Sequence, residues 1–228
     1  MQPTLGSTAA MQPLPVYEQG PLRYLLRPPS RGSAALRPVL FFLHGYDEGA
    51  PMPIGDALTR HGPLRPGNPS AALSPFVVVA PQMPVRGDVW HRYAEHVRAI
   101  VKEVHAHHGG DPQRTYLTGF SFGGNGVFDL ALLQPRTWAA LWAVDPTRVP
   151  GRDPGVPIWL SIGEISSYRT RVFMNALRLR AGDGDAASDR IYLDQAADHV
   201  GSARLAYSDE RIYSWLLAKQ LASGAKAH

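Results

Sequence analysis

The feature that most constrains the fold of this chain is an alternation of short, nearly continuous apolar runs with longer segments of helical periodicity. The runs are rich in β-branched and aromatic residues, as in strands buried on both faces of a parallel sheet. They are PLRYLLRPP, RPVLFFLHG, PFVVVAPQ, RTYLTGF, WAALWAVD, VPIWLSIG and RIYLDQ. This alternation predicts an α/β fold with a mostly parallel central sheet and helices on both faces.

Four segments between or after these runs have the pattern of amphipathic helices. The clearest covers residues 90–110 and ends in two glycines, which are typical of a helix C-terminus. Its apolar side chains form one stripe, made of Tyr93, Val97, Ile100, Val101 and Val104. The other three helical patterns are GGNGVFDLALL, YRTRVFMNALRLRA at 168–181 and DERIYSWLLAKQLA near the C-terminus.

The length of 228 residues and the hydrophobic content of 44% suit one well-buried domain. Residues 1–15 are small, polar and proline-containing without periodicity, so we expect a disordered tail followed by a single domain over 16–224. Residues 47–75 form the longest irregular stretch. Loops of that length usually have a function, and we expect this one to border a substrate cleft.

Composition also limits the partners and the chemistry. The chain has no cysteine, which excludes disulfides, thiolate metal sites and a cysteine nucleophile. It has neither a signal-like start nor an apolar run long enough to span a membrane, so we expect a cytoplasmic protein. The net charge is +4, but the arginines are scattered and no nucleic-acid motif accompanies them, so we expect no nucleic-acid partner. The oligomeric state is left open.

The segment LTGFSFGGNG, residues 117–126, follows one predicted strand and opens one predicted helix. It contains the spacing Gly-x-Ser-x-Gly, in which Gly119 and Gly123 permit a sharp turn that exposes the hydroxyl of Ser121. That arrangement is typical of the nucleophile elbow of α/β-hydrolases. Ser121 is therefore a candidate nucleophile at the carboxyl edge of the sheet, where such sheets bind ligands.

A serine hydroxyl is a weak nucleophile without a base, and a tetrahedral intermediate needs donors for its oxyanion. The run FFLHGYDEG ends in a turn at Gly45, from which the backbone amide of Tyr46 can supply one donor and the amide of Phe122 the other. His44 precedes the serine and is interpreted as structural. The candidate base is His199, in a loop after the last predicted strand, since only the C-terminal His228 otherwise follows Ser121.

From residue 37 to about 220 the chain resembles one branch of the α/β-hydrolase superfamily, with DPQRTYLTGFSFGG as the most specific segment. This branch contains predicted peptidases, phospholipase/carboxylesterase-type enzymes and polyhydroxybutyrate-depolymerase-like enzymes, among them feruloyl-esterase-type enzymes. The resemblance implies an α/β-hydrolase fold without a large cap domain and needs no metal or organic cofactor. It also implies Ser121 as nucleophile, His199 as base, and Tyr46 with Phe122 as oxyanion hole.

The acid of the triad departs from the pattern of that branch. Its members usually carry an aspartate after the penultimate strand, where this chain has Ser166. Without a carboxylate the histidine loses the group that fixes its tautomer. Glu164, on the same loop, is the first choice for a relocated acid, and Asp145, at the end of the preceding strand, is the second. Asp198 is too close to His199 along the chain to bend back to its ring.

These residues predict a serine hydrolase that cleaves a carboxylic ester or thioester of a small-molecule or acyl substrate. Two alternatives stay open. One is an acyltransferase or cyclising thioesterase on the same machinery, which a dry, apolar cleft built from residues 47–75 would favour. The other is a catalytically idle hydrolase fold used for binding, which only the missing aspartate supports.

Overall fold

The computed structural model of the chain describes residues 14–29, 35–181 and 188–221. In these residues nine strands form one sheet in the order β1-β2-β4-β3-β5-β6-β7-β9-β8. Only β2 runs antiparallel to its neighbours; all other pairs are parallel, which confirms the predicted mostly parallel sheet. The strands are β1 (Val16–Gln19), β2 (Leu22–Arg27), β3 (Arg37–Leu43), β4 (Val77–Gln82), β5 (Gly110–Phe120), β6 (Ala140–Val144), β7 (Ile158–Ile162), β8 (Arg180–Ala181) and β9 (Arg190–Asp194).

Helices cover both faces of this sheet, as the alternation predicts. Strand β3 shows the division, because Phe41 and Leu43 belong to one apolar cluster and Leu40 and Phe42 to the other. The first cluster includes α3, α4 and α6, and the second includes α1, α7 and α8. The helices are α1 (Ile54–Leu58), α2 (Ser70–Leu73), α3 (Ala94–His107), α4 (Phe122–Leu133), α5 (Glu164–Ser167), α6 (Thr170–Ala176), α7 (His199–Ser208) and α8 (Glu210–Leu217), with 3₁₀ turns at Tyr46–Glu48 and Trp90–Tyr93.

Helix α3 packs as its sequence predicts. Every member of the predicted stripe is buried, and the remaining faces of the helix carry its charged residues. Two other predictions of secondary structure need correction, one of a helix and one of a loop. The pattern at 168–181 is helical only over α6, because Arg178 adopts a positive φ of 53° and the chain then enters the short strand β8.

The second correction concerns the segment around His199, which the sequence analysis interprets as a loop. His199 is the first residue of α7, and the side chain of Asp198 caps this helix by accepting a hydrogen bond from the amide of Gly201. A cap of this kind satisfies one of the amides that lack a partner inside the helix. Gly201 weakens the helical pattern in the sequence, which hides α7.

Residues 47–75 are less irregular than predicted, since they contain α1 and α2. The start of this segment is fixed to β4, because the side-chain amide of Gln82 donates to the carbonyl oxygens of Glu48 and Met52.

No large cap domain is built by the part of the chain that the structure describes. Residues 1–13 of the predicted tail and residues 222–224 of the predicted domain lie outside the described residues. Within the described ranges, none of the helices is both long and apolar enough to cross a bilayer.

The turn from β5 into α4 is packed against the end of β3 without room for side chains. A Cβ atom added to Gly123 would lie 1.9 Å from the carbonyl oxygen of Leu43, and one added to Gly119 would lie 2.4 Å from the carbonyl oxygen of Gly123. Real Cβ atoms do not approach backbone oxygens so closely. The two glycines of the motif therefore allow α4 to start directly beneath the sheet edge.

We expect Gly123→Ala to destabilise the protein by at least about 2 kcal/mol, because the new methyl group has to push the backbone of β3 away. Urea unfolding followed by circular dichroism measures this change. Gly55→Ala is the matched control, since Gly55 lies in α1 with no heavy atom within 4 Å of an added Cβ. Alanine there should be neutral or stabilise by up to about 1 kcal/mol, and equal stability losses in the two variants would contradict this account.

Candidate active site

Ser121 lies at the carboxyl end of β5 and immediately before α4. Its backbone has φ 58° and ψ −117°, a conformation that residues other than glycine rarely adopt and that costs on the order of 1–3 kcal/mol. The surrounding ladder holds it there, because the Ser121 amide donates to the carbonyl oxygen of Val144 at 2.9 Å. This sharp turn lifts the side chain above the edge of the sheet, and the residue is 8% exposed.

His199 meets the serine from the opposite side of the carboxyl edge. The distance from His199 Nε2 to Ser121 Oγ is 3.0 Å, within hydrogen-bonding range. The imidazole also lies against the ring of Phe120, with ring centroids 4.6 Å apart. Because His199 opens α7, its backbone is fixed by the helix and its ring by Phe120.

The other ring nitrogen of His199 faces Asp145, which follows β6. The distance from His199 Nδ1 to Asp145 Oδ2 is 2.5 Å, and the carboxylate is fully buried. Its second oxygen, Oδ1, accepts a hydrogen bond from the amide of Gly163 at 3.1 Å. Asp145 has a positive φ of 41°. Ser121 and Asp145 thus each follow the last residue of a neighbouring strand with a strained backbone, and both contact His199.

These contacts involve Asp145 and not Glu164, the first choice for the acid made on the sequence. Both ring nitrogens of His199 are occupied, by Ser121 and by Asp145, whereas the side chain of Glu164 is exposed. The amide of Glu164 donates to the carbonyl oxygen of Ala197, which directs α5 along the surface. The structure thus brings Asp145, the second choice, to the ring of His199, and it does not bring Glu164 there.

Ser166, which replaces the aspartate usual in the resembled branch, is buried beside the new partner. Its hydroxyl donates to the carbonyl oxygen of Pro146, the residue that follows Asp145. The β7–α5 loop thus contributes two hydrogen bonds to the Asp145 segment, one from the Ser166 hydroxyl and one from the Gly163 amide. In this chain the loop supports the carboxylate instead of carrying it.

The predicted oxyanion donors, Tyr46 and Phe122, begin a 3₁₀ turn and α4 respectively. Amides at the start of a helix have no acceptor inside it, so they are free to bind an anion. Gly45 lies directly over the serine, because a Cβ on Gly45 would be 3.5 Å from Ser121 Cβ. The rings of Tyr46 and Phe122 contact each other edge to face at 5.0 Å, which joins the two segments at the rim of the site.

His44 supports this turn from below. Its Nδ1 donates to the carbonyl oxygen of Gly45 and its Nε2 accepts from the amide of Met83, so the ring is held as one neutral tautomer. Burial lowers the pKa of His44 to about 4. The carbonyl oxygen of His44 also accepts a hydrogen bond from the indole of Trp90. These contacts agree with the structural interpretation of His44.

A second pair of ionisable side chains, Glu48 and His61, lies next to the site and was missed in the sequence. The Glu48 carboxyl is buried against Gly45, and its Oε1 lies 3.5 Å from His61 Nε2. Burial raises the pKa of Glu48, and burial with nearby arginines lowers the pKa of His61 to about 4, so both charged forms are disfavoured. The only sequence signal was a glutamate directly after the HGYD turn.

Among the described residues no group of three or more histidine or acidic side chains is arranged to hold a metal ion.

No protein-family model and no curated protein matches the chain. Solved structures do match. A thermostable esterase is similar over 91% of this chain, with a TM-score of 0.74 and 20% identity, and the chain spans 63% of that protein's length. The S-formylglutathione hydrolase from Agrobacterium tumefaciens gives a TM-score of 0.64 at 15% identity over 92% of this chain and 95% of its own.

An alpha-beta serine hydrolase homologue from Coxiella burnetii is also similar, with a TM-score of 0.59 and 16% identity, over 92% of this chain and 98% of its own. At these identities the likeness establishes the fold. The protein has the α/β-hydrolase fold, in which the expected strand–turn–helix carries Ser121.

The low pKa values of His44, which is buried, and His61, which is partly buried, predict that the protein loses stability in acid. The pKa values of His44 and His61 are about 4 in the folded state and about 6.5 when unfolded. Their contribution to stability is therefore complete above pH 6.5 and is lost as the pH falls towards 4. Between these limits the unfolded chain binds up to one more proton per histidine, a slope of up to about 1.4 kcal/mol per pH unit for each.

Urea unfolding at pH 7, 6 and 5 measures this slope. We expect His61→Gln to reduce this slope by up to about 1.4 kcal/mol per pH unit, the contribution of one bound proton. His107→Gln, which removes an exposed histidine at the end of α3, is the control and should leave the slope unchanged. An identical slope in wild type and His61→Gln would contradict the assignment.

Proposed function

We propose that this protein is a serine hydrolase that cleaves a carboxylic ester or thioester through an acyl-enzyme on Ser121. One observation carries the proposal: a continuous chain of contacts from Ser121 Oγ to His199 Nε2 at 3.0 Å and from His199 Nδ1 to Asp145 Oδ2 at 2.5 Å. The three side chains come from three separate segments and meet at the carboxyl edge of the sheet. Nucleophile, acid and base also follow one another along the chain in the order Ser, Asp, His that is usual for this fold.

In the first step His199 Nε2 takes the hydroxyl proton of Ser121 while Oγ attacks the carbonyl carbon of the substrate. The carbonyl oxygen becomes an oxyanion, which the amides of Tyr46 and Phe122 stabilise. His199 then gives the proton to the departing alcohol or thiol, and the acyl group stays on Ser121. Water repeats the sequence in the second half, so that the acid is released and the serine is restored.

Asp145 keeps the imidazole in the tautomer that this sequence requires. An Nδ1–H bonded to the carboxylate leaves Nε2 free to accept the serine proton, and the negative charge stabilises the imidazolium that forms. The Gly163 amide bond to Asp145 Oδ1 holds the carboxylate in the required orientation. A fully buried carboxylate beside a histidine that transiently carries positive charge suits this role.

Two further observations bear on the alternatives. The binding-only alternative depended on the absence of an aspartate at position 166, and the 2.5 Å contact of Asp145 with His199 speaks against it. The acyl-transfer alternative depended on a dry, apolar cleft from residues 47–75. In that segment Glu48 and His61 interact electrostatically with His199. Arg60 and Arg65 line a hollow together with His61 and Val200, and this polar surrounding favours water as the acceptor. The similar folds bear names of esterases and hydrolases, which agrees with ester cleavage.

Wild-type protein should react with a fluorophosphonate probe at one residue, because the activated Ser121 hydroxyl attacks the phosphorus centre. Intact-protein mass spectrometry measures the adduct, and peptide mapping locates it. Ser121→Ala should remain unlabelled. Absence of an adduct on folded wild-type protein, or equal labelling of the variant, would refute the proposed nucleophile.

The acid is tested by turnover of 4-nitrophenyl acetate in two amide variants. Asp145→Asn should lower kcat by roughly 10⁴, the scale found when a triad aspartate is replaced by its amide. Glu164→Gln, a matched loss of one carboxylate on the exposed helix α5, should leave kcat within about twofold. A loss of more than a hundredfold in Glu164→Gln with little change in Asp145→Asn would reverse the assignment.

A further inference from the structure

The two sides of the site differ in charge. On one side a small hollow of about 50 Å³ is lined by Arg60, His61, Arg65, Val200 and Arg204. The other side has a wider surface hollow whose lining includes Glu164, Asp194 and Asp198. A substrate with a charged end would therefore be bound in one direction only.

The arginine hollow adjoins the reacting groups through direct contacts. The ring of His61 lies 5.2 Å from the ring of Phe120, whose other neighbour is the ring of His199 at 4.6 Å. Val200 follows His199 in α7, and Arg204 lies one helical turn further along. An extended group bound in the hollow can thus belong to the same molecule that reaches Ser121.

The three guanidinium groups of the hollow make no ion pair or side-chain hydrogen bond with the described residues. Other arginines of the protein do form ion pairs with acidic residues, for example Arg148 with Asp129 and Arg190 with Asp153. The Glu48 carboxyl lies 3.5 Å from His61 and interacts electrostatically with Arg60, but burial raises its pKa and so disfavours its charged form. Three arginines that line one hollow without an ion pair to the described residues favour an anion from outside the chain.

We propose that the preferred substrate is an ester or thioester bearing a carboxylate, which Arg60 and Arg204 bind while the carbonyl lies at Ser121. The hollow is small, at about 50 Å³, so it suits a head group such as a carboxylate and not a whole substrate. The inference rests on the proposed hydrolase function and adds its substrate class.

Two matched pairs of esters test this preference and locate the carboxylate. The first pair compares mono-4-nitrophenyl glutarate with 4-nitrophenyl pentanoate, which differ by a carboxylate on the acyl group. The second compares 4-acetoxybenzoate with its methyl ester, which differ by a carboxylate on the leaving group. The wild type should favour the anionic member of one pair by at least about tenfold in kcat/KM, and added salt should reduce the ratio.

Arg60→Gln and Arg204→Gln should each lower that ratio about three- to fivefold, mainly through the KM of the anionic ester, and the double variant should lower it about tenfold. Arg180→Gln is the matched control, because Arg180 is exposed in β8 at the far edge of the sheet; it should leave the ratio unchanged. Arg60 and Arg204 are exposed, so their substitution should also leave the thermal unfolding temperature unchanged.

The outcomes distinguish a wrong substrate class from a wrong hydrolase function. If the neutral esters are hydrolysed but neither pair shows an anionic preference, the substrate class is wrong and the hydrolase function stands. A preference that Arg60→Gln and Arg204→Gln leave intact would also overturn the proposed binding site. If Ser121 does not react with the fluorophosphonate and none of the four esters is cleaved, the proposed function itself has failed.

Discussion

The site depends on the strained backbone at the ends of two neighbouring strands. Ser121 and Asp145 both have positive φ angles, and each costs on the order of 1–3 kcal/mol that the surrounding structure must offset. Hydrogen bonds continue the parallel ladder through both residues, from the Ser121 amide to Val144 and from the Asp145 amide to Ser161. Below the serine, the contact of Gly123 with Leu43 leaves the turn no room to relax. Strain at both positions turns the two side chains towards the same imidazole.

In the proposed mechanism the acid has a different place in the chain from the acid of the resembled branch. In the resembled branch the acid follows the penultimate strand, whereas here Ser166 occupies that position and Asp145 contacts His199 from the strand before. The two loops remain linked, because Ser166 donates to Pro146 and Gly163 donates to Asp145. A serine hydroxyl is shorter than a carboxylate and binds a backbone oxygen without adding charge. Asp145 is thereby left as the carboxylate nearest to the ring.

Much of the fold could be predicted because its signals are local. The apolar runs mark the buried strands, and the stripe of α3 and the spacing of Gly119 and Gly123 follow from neighbouring residues. The choice between Glu164 and Asp145 could not be predicted, since it depends on a φ of 41° at Asp145 that is set by tertiary packing. Helix α7 was missed because Gly201 interrupts its pattern, although its capping residue, Asp198, was visible. The neighbourhood of His61 was missed because α1 brings it to Phe120 from a distant part of the chain.

We propose that Asp145 fixes the tautomer of His199 for proton transfer from Ser121. Nitrogen NMR of protein labelled with ¹⁵N-histidine measures this tautomer, with His199→Gln used to assign the resonances. We expect the neutral ring of His199 to carry its proton on Nδ1 in the wild type and in Glu164→Gln, and Asp145→Asn to abolish this preference. A wild-type ring protonated on Nε2, or a tautomer that changes in Glu164→Gln and not in Asp145→Asn, would show that Asp145 does not have this role.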